Sequence, residues 1–299
     1  MKKFVFLLLI FSFSLTLPLY SAGTHEENSM KKPVIALSIL PQQYAVDRIA
    51  NGLVETFVLV GEGQSPHSYE PTPRQMALLS SSSAWILSGT DFEVALKSKI
   101  EALYPNLPII DGTKGVTFRV LEEHGHEDEE EHHEHETLNY DKHTWLSYEP
   151  YKILISHALE TLTLNDPTNA GIYKKNATQL IEEIDTLFAS LYKELAFLEG
   201  STVFVFHPSF GYFLDEFGIK QEAVETGGKE PTAKNLVALI EKAREEQVKT
   251  IFVQAQFPTQ AAKNVADAVG AKILPLDPLA YDWITNIKHI ASALIEGGK

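Results

Sequence analysis

The order of apolar and polar positions divides the chain into buried strands alternating with amphipathic helices. Residues 34–40 (Val-Ile-Ala-Leu-Ser-Ile-Leu) form a nearly unbroken apolar run, the pattern of a parallel strand covered on both faces. Pro41 follows at a place suited to a helix start, with Tyr44, Ala45, Ile49 and Ala50 on one face and Asn51-Gly52 to close it. Residues 54–60 predict a second strand, ending in the loop Gly61-Glu62-Gly63-Gln64-Ser65-Pro66-His67. A helix over 72–82, a strand over 84–88, a helix over 91–103 and a strand over 107–110 continue the alternation. After a polar stretch, a helix is predicted over 148–162.

From Asp166-Pro167 onward, Ile172, Tyr173, Ala177, Leu180, Ile184, Leu187, Phe188, Leu191 and Leu195 hold helical spacing to about Phe197. That is about 30 residues, or roughly 45 Å at 1.5 Å each. It is long for a crossover within one sheet and suits a rigid helix between two lobes. The alternation then restarts, with strands expected over 202–206, 221–225, 250–253 and 271–276, and helices over 209–217, 232–247, 258–269 and 281–296. The predicted fold is α/β: two doubly wound (βα) lobes joined by one long rigid interlobe helix. Ligands in such folds gather beyond the C-terminal ends of the strands, which places a metal site in the cleft between the lobes. The expected layout is an N-terminal lobe over 33–165, including a polar loop at 122–140, an interlobe helix over 166–198, and a C-terminal lobe over 199–299.

The N-terminus changes the compartment. Met1-Lys2-Lys3, an apolar run from Phe4 to about Leu19 and the small residues around Ser21-Ala22-Gly23 have the parts of a secretory signal peptide. The run is short for a membrane span and is broken by Ser12, Ser14 and Pro18. Residues 1–23 are therefore read as a cleaved signal and 24–32 as a flexible leader. The chain has no cysteine, which excludes a lipid anchor, disulfides and thiolate metal sites together. The expected product is a soluble periplasmic monomer whose metal ligands can only be His, Asp, Glu or water.

Charge and candidate chemistry meet in one stretch. Residues 122–136 read Glu-Glu-His-Gly-His-Glu-Asp-Glu-Glu-Glu-His-His-Glu-His-Glu. Nothing there can bury a core in return for the entropy of ordering it. Its imidazoles (His124, His126, His132, His133, His135) and carboxylates suit weak, auxiliary metal contact. The formal net charge is −15, and the nine acids of this run leave −6 for the rest of the chain. No basic stripe exists to neutralise phosphates, so nucleic acid is not expected as a partner.

The sharper candidates are single residues at strand ends. His67 follows the second strand, His143 stands in Asp141-Lys142-His143-Thr144-Trp145, His207 follows strand 202–206, and Asp277 follows strand 271–276. Three imidazoles and one carboxylate make a four-coordinate set that suits zinc and can also hold manganese or iron(II). Glu62, in the first of these loops, is a possible substitute for Asp277.

The segments Gly63-Gln64-Ser65-Pro66-His67-Ser68-Tyr69-Glu70-Pro71, Asp141-Lys142-His143-Thr144-Trp145-Leu146-Ser147, Phe206-His207-Pro208-Ser209-Phe210-Gly211-Tyr212-Phe213 and Leu276-Asp277-Pro278-Leu279 occur in this order. Together they resemble the zinc- and manganese-specific solute-binding proteins of bacterial ABC importers, closest to the ZnuA-like zinc group. The resemblance covers essentially the whole mature chain. It implies that His67, His143, His207 and Asp277 are metal ligands, with the third histidine leaning towards zinc. It also implies Zn2+ as the transported ion (Mn2+ or Fe2+ as alternatives), and delivery to a membrane ABC permease with a cytoplasmic ATPase. The segment from Glu225 to Pro231 resembles a family segment near the cleft, and a plain turn is the expectation for it.

Two other classes compete. An exported zinc hydrolase would need an open metal position and a general base, and the chain lacks His-Glu-x-x-His. A metal-binding adhesin is neither supported nor opposed by any residue. The expectation carried forward is a binding protein, not an enzyme.

Overall fold

The computed structural model describes residues 32–121, 139–225, 232–257 and 260–298. The expected export signal and the expected leader up to Lys31 lie outside these residues, as do His124, His126, His132, His133 and His135 of the acidic run.

Two four-stranded, all-parallel sheets carry the fold. The first contains β1 (Val34–Ile39), β2 (Glu55–Val60), β3 (Ala84–Leu87) and β4 (Ile109–Asp111), in the order β2-β1-β3-β4. The second contains β5 (Thr202–Val205), β6 (Lys220–Ala223), β7 (Thr250–Val253) and β8 (Lys272–Pro275), in the order β6-β5-β7-β8. The orders are equivalent, so each lobe has its topological switch point beside its first strand. The helices are α1 (Leu40–Ala50), α2 (Pro73–Ser80), α3 (Asp91–Leu103), α4 (Tyr148–Asn165), α5 (Ala170–Glu194), α6 (Gly211–Asp215), α7 (Ala233–Glu245), α8 (Gln260–Val269) and α9 (Trp283–Gly297).

The central strand β1 is buried almost throughout, as expected of a strand covered by helices on both faces. At its end Gln42 ties helix to sheet: its Oε1 accepts from the Ser38 amide at 2.9 Å, and its Nε2 donates to the Leu87 carbonyl at 2.8 Å. Asn51, in the left-handed region at φ 47°, stops α1 as the Asn51-Gly52 pair predicts.

The long helix is shorter than its apolar spacing suggests. Pro167–Asn169 and Ala196–Leu198 are single 3-10 turns, and α5 itself has 25 residues, or about 37 Å. Pro167 permits a tight turn but not a continuous entry from α4, and Gly200 at φ 78° ends the exit. Helix α5 touches both lobes. Arg48 of α1 pairs with Glu183 at 2.8 Å and Asn176 donates to the Ile49 carbonyl, while Phe188 and Tyr192 pack against Phe217.

The lobes are not independent bodies. One apolar core runs from Ile35, Leu37 and Trp85 through Tyr151 and Phe188 to Val205, Phe213 and Trp283. Trp283 lies flat on Tyr151 of α4 with centroids 3.9 Å apart, and donates to the Trp145 carbonyl at 2.6 Å. A second core, including Phe204, Leu239, Ile251 and Val265, lies within the second lobe against α7 and α8. Wide opening between the lobes would expose the shared core, so the fold favours small tilts over a free hinge.

Candidate metal centre

The parallel strands all end on the same side of their sheets, and the loops leaving them bring distant residues together. His67 stands in the loop after β2, His143 opens the 3-10 turn Thr144–Leu146 that leads into α4, and His207 follows β5. The His207 Nε2 lies 3.0 Å from the His67 Nε2 and 3.2 Å from the His143 Nε2. Zn–N bonds of about 2.05 Å at tetrahedral angles put two nitrogens about 3.3 Å apart. The His207 nitrogen thus stands about one tetrahedral edge from each of the other two, and the three lie within 4.8 Å of one another.

Each ring is held from behind by a carboxylate. His67 Nδ1 meets Asp91 Oδ2 at 2.6 Å, His143 Nδ1 meets Asp141 Oδ1 at 2.8 Å, and His207 Nδ1 meets Glu225 Oε1. A carboxylate only accepts, so the proton of a neutral ring sits on Nδ1 and the Nε2 lone pair points at the shared centre. Sequence reasoning missed all three partners. For Glu225 the expectation of a plain turn is corrected: the chain leaves β6 at Ala223, and Glu225, 2 % exposed, turns in against His207. A signal was available, because each carboxylate lies at or just beyond a strand end or, for Asp141, two residues before its histidine.

The surroundings differ from histidine to histidine. His143 and His207 are buried, whereas the His67 side chain is 30 % exposed. Gln254, fully buried, accepts from the His207 amide at 3.1 Å and donates to its carbonyl at 2.9 Å, and Phe257 stacks on its ring at 4.4 Å. Burial drives the His207 imidazole down to about 4, against the opposing pull of Glu225, so it stays neutral at physiological pH. Asp91 is held well below the usual carboxylate range by His67 and by the Lys142 ammonium, whose partner it also is. For Asp141, burial works upward, but the bonds from His143 and the Arg119 charge outweigh it and keep the carboxyl low.

The structure does not bring Asp277 or Glu62 into the histidine group. Among the described residues, His67, His143 and His207 alone have ligand atoms all within 4.8 Å of one another. Asp277 Oδ1 accepts from Gln256 Nε2 and from the Leu279 amide, each at 2.9 Å, and Glu62 is exposed in its turn. Asp277 is nonetheless linked to the centre through the backbone, because Trp145, against the His143 ring, donates to the Pro278 carbonyl at 2.7 Å.

Residues 35–297 match the family model described as zinc-uptake complex component A, periplasmic (ZnuA). The chain belongs to this family. The high-affinity zinc uptake system protein ZnuA of Bacillus subtilis is 26% identical over 251 residues, covering 82% of this chain and 78% of the relative. A crystal structure of ZnuA is 33% identical and superposes with a TM-score of 0.81 over 90% of this chain and 100% of the other. A ZnuA deletion mutant with zinc bound is 34% identical, with a TM-score of 0.80 over 89% and 98%. The ZnuA-type fold, with its two parallel-sheet lobes and long helix, is therefore the fold of this chain.

Proposed function

We propose that this protein captures Zn2+ between its lobes, through the Nε2 atoms of His67, His143 and His207, and delivers it to a membrane ABC permease for zinc uptake. The observation that carries this reading is the His207 nitrogen 3.0 and 3.2 Å from those of His67 and His143, with each ring backed by a carboxylate. Three imidazole nitrogens favour zinc over the harder manganese, which prefers carboxylate oxygen. The fourth position is taken by Asp277, Glu62 or water. Asp277 serves if small lobe movements exchange its Gln256 and Leu279 bonds for the metal.

The reading is of a carrier, not a hydrolase. Asp91, Asp141 and Glu225 are engaged with histidine Nδ1 atoms, so none stands as a free base beside a metal-bound water. Export to the periplasm and the signal at residues 1–23 belong to the same proposal, as does an auxiliary collecting role for the histidines of 122–136. Asp141 holds both the amide and the ring of His143, which leaves the exposed His67 loop as the entry side.

Competition between the metal-free protein and a fluorescent chelator tests this. One tight zinc per chain, abolished by His67→Ala and by His207→Ala and retained when 122–136 is deleted, is the expected result. Tight zinc binding that survives both histidine substitutions would refute the assignment. A preference for Mn2+ over Zn2+ in the same assay would refute the choice of metal while leaving the site intact.

A further inference from the structure

Behind His143 stands an assembly that reaches across to the second lobe. Asp141, fully buried, gives Oδ1 to both the His143 amide and the His143 ring. Its Oδ2 has no hydrogen-bond donor among the described residues; the Arg119 guanidinium faces it at 3.5 Å. Arg119 precedes α4 in the first lobe, yet its Nε donates to Asp215 Oδ2 of α6 at 2.8 Å. The backbones join the same assembly. The Arg119 amide donates to the Tyr212 hydroxyl, which donates to the Asp141 carbonyl, each at 2.8 Å, and the Asp141 amide donates to the Arg119 carbonyl at 2.8 Å.

Gly211 makes room for this contact. A Cβ there would lie 2.7–2.9 Å from three guanidinium atoms of Arg119, so the first residue of α6 must lack a side chain for the arginine to lie across it. The planar fork of arginine suits a two-sided role, with one edge to each lobe's carboxylate; a lysine ammonium offers a point charge without that geometry.

We propose that Arg119 is a positioning residue for metal retention, tying Asp141, and through it His143, to Asp215 of the second lobe so that parting of the lobes loosens one of the three ligands. The proposal rests on the histidine centre described above. While the lobes are together, Arg119 fixes the carboxylate that orients His143. When α6 moves away, the fork loses its anchor, the Asp141 carboxylate can turn, and the His143 ring follows. Zinc is then held by His67 and His207 with a weakened third ligand, which couples docking-induced opening to release.

The experiment is zinc dissociation from the full-length chain, followed by stopped-flow transfer to an excess of fluorescent chelator, with the melting temperature of each metal-free variant alongside. Asp215 is 52% exposed, so Asp215→Asn should fold normally. Asp215→Asn, Gly211→Ala and Arg119→Ala should each speed dissociation by on the order of 3–10-fold, somewhat less than loss of a carboxylate bonded directly to a ligand. Arg119→Ala with Asp215→Asn should be no faster than Arg119→Ala alone, because Asp215 acts through the arginine. The absorption spectrum of the Co2+-loaded variants should shift with the same ranking, a signature that a purely structural contact would not move. Unchanged dissociation in Asp215→Asn and Gly211→Ala, or lower melting temperatures with unchanged dissociation and cobalt spectra, would overturn the proposal. An effect of Arg119→Ala that Asp215→Asn does not share would also overturn it, since the arginine would then act within one lobe. Failure of the histidine centre itself would read differently: wild type would show no tight zinc to release.

Discussion

Replacing Glu225 by Gln isolates how the centre is tuned. Glu225 is 2% exposed; Oε1 is engaged with His207 Nδ1, and Oε2 is buried without a hydrogen-bond partner among the described residues. The amide has almost the same volume, so packing is preserved and two electrical changes remain. A charge-assisted hydrogen bond, contributing about 1.5–3 kcal/mol, becomes a neutral one of about 0.5–1.5 kcal/mol. The amide can also present its NH2 to Nδ1, which moves the ring proton to Nε2, the nitrogen that faces the metal. A loss of about 1–2 kcal/mol, or roughly 5–30-fold in zinc affinity, is expected, overlapping the range of about 10–100-fold for carboxylates behind metal-bound histidines.

Metal-free stability should move the other way. Removing a buried charge with an unpaired oxygen should leave the melting temperature unchanged or raise it. Proton competition cannot produce the affinity loss, because Glu225 raises the proton affinity of His207 and its removal lowers it. The assay is chelator competition at neutral pH together with thermal melts of the metal-free protein. An affinity within twofold of wild type, or one that falls only in step with the melting temperature, would refute this account of the His207–Glu225 pair.

Three further outcomes are expected. His207 has a folded-state value near 4 against an ordinary 6.5, so the unfolded chain takes up a proton that the folded one refuses. Metal-free stability should therefore fall as pH drops from about 6.5 towards 4, and His207→Gln should remove that share of the slope in melts recorded across this range. Asp91→Asn should weaken zinc less than Glu225→Gln, because the His67 and Asp91 side chains are 30% and 40% exposed and water can replace the lost acceptor; chelator competition on the pair gives the ranking, and the reverse order would contradict it. Gly112→Ala should destabilise the first lobe by about 1–3 kcal/mol in urea titration, since its Cβ would lie 2.4 Å from the Leu87 carbonyl oxygen and backbone must shift. An unchanged urea midpoint would show that the C-terminal end of the β3–β4 pair is more compliant than its spacing implies.

Much of the chain was legible because each strand here is a local signal. Trp85 to Leu87 is apolar at every position and has turn residues on either side, so burial on both faces could be read without knowing the neighbours. His67, His143 and His207 stood out because imidazoles directly beyond strands or before a helix are few. The carboxylates behind them were not legible in the same way. Asp91 reads equally well as an acid favouring the first turn of α3, and Glu225 as a turn residue. Only their partners distinguish these roles, and those partners lie 24 and 18 residues away.

The sequence by itself determined the strand and helix order and the equivalence of the two halves, and it marked the three histidines as candidates, because periodicity, turn residues and rare side chains are properties of short stretches. Tertiary structure decided that α9 begins against the first lobe through Trp283, that one core spans both lobes, and that Arg119 reaches Asp215. It also decided that the His207 nitrogen stands about a zinc tetrahedron's edge from those of His67 and His143 while Asp277 remains bonded to Gln256 and Leu279. Those are facts of distance between residues far apart in the chain. They depend on how packed elements settle against one another, and no local pattern encodes that to within an ångström.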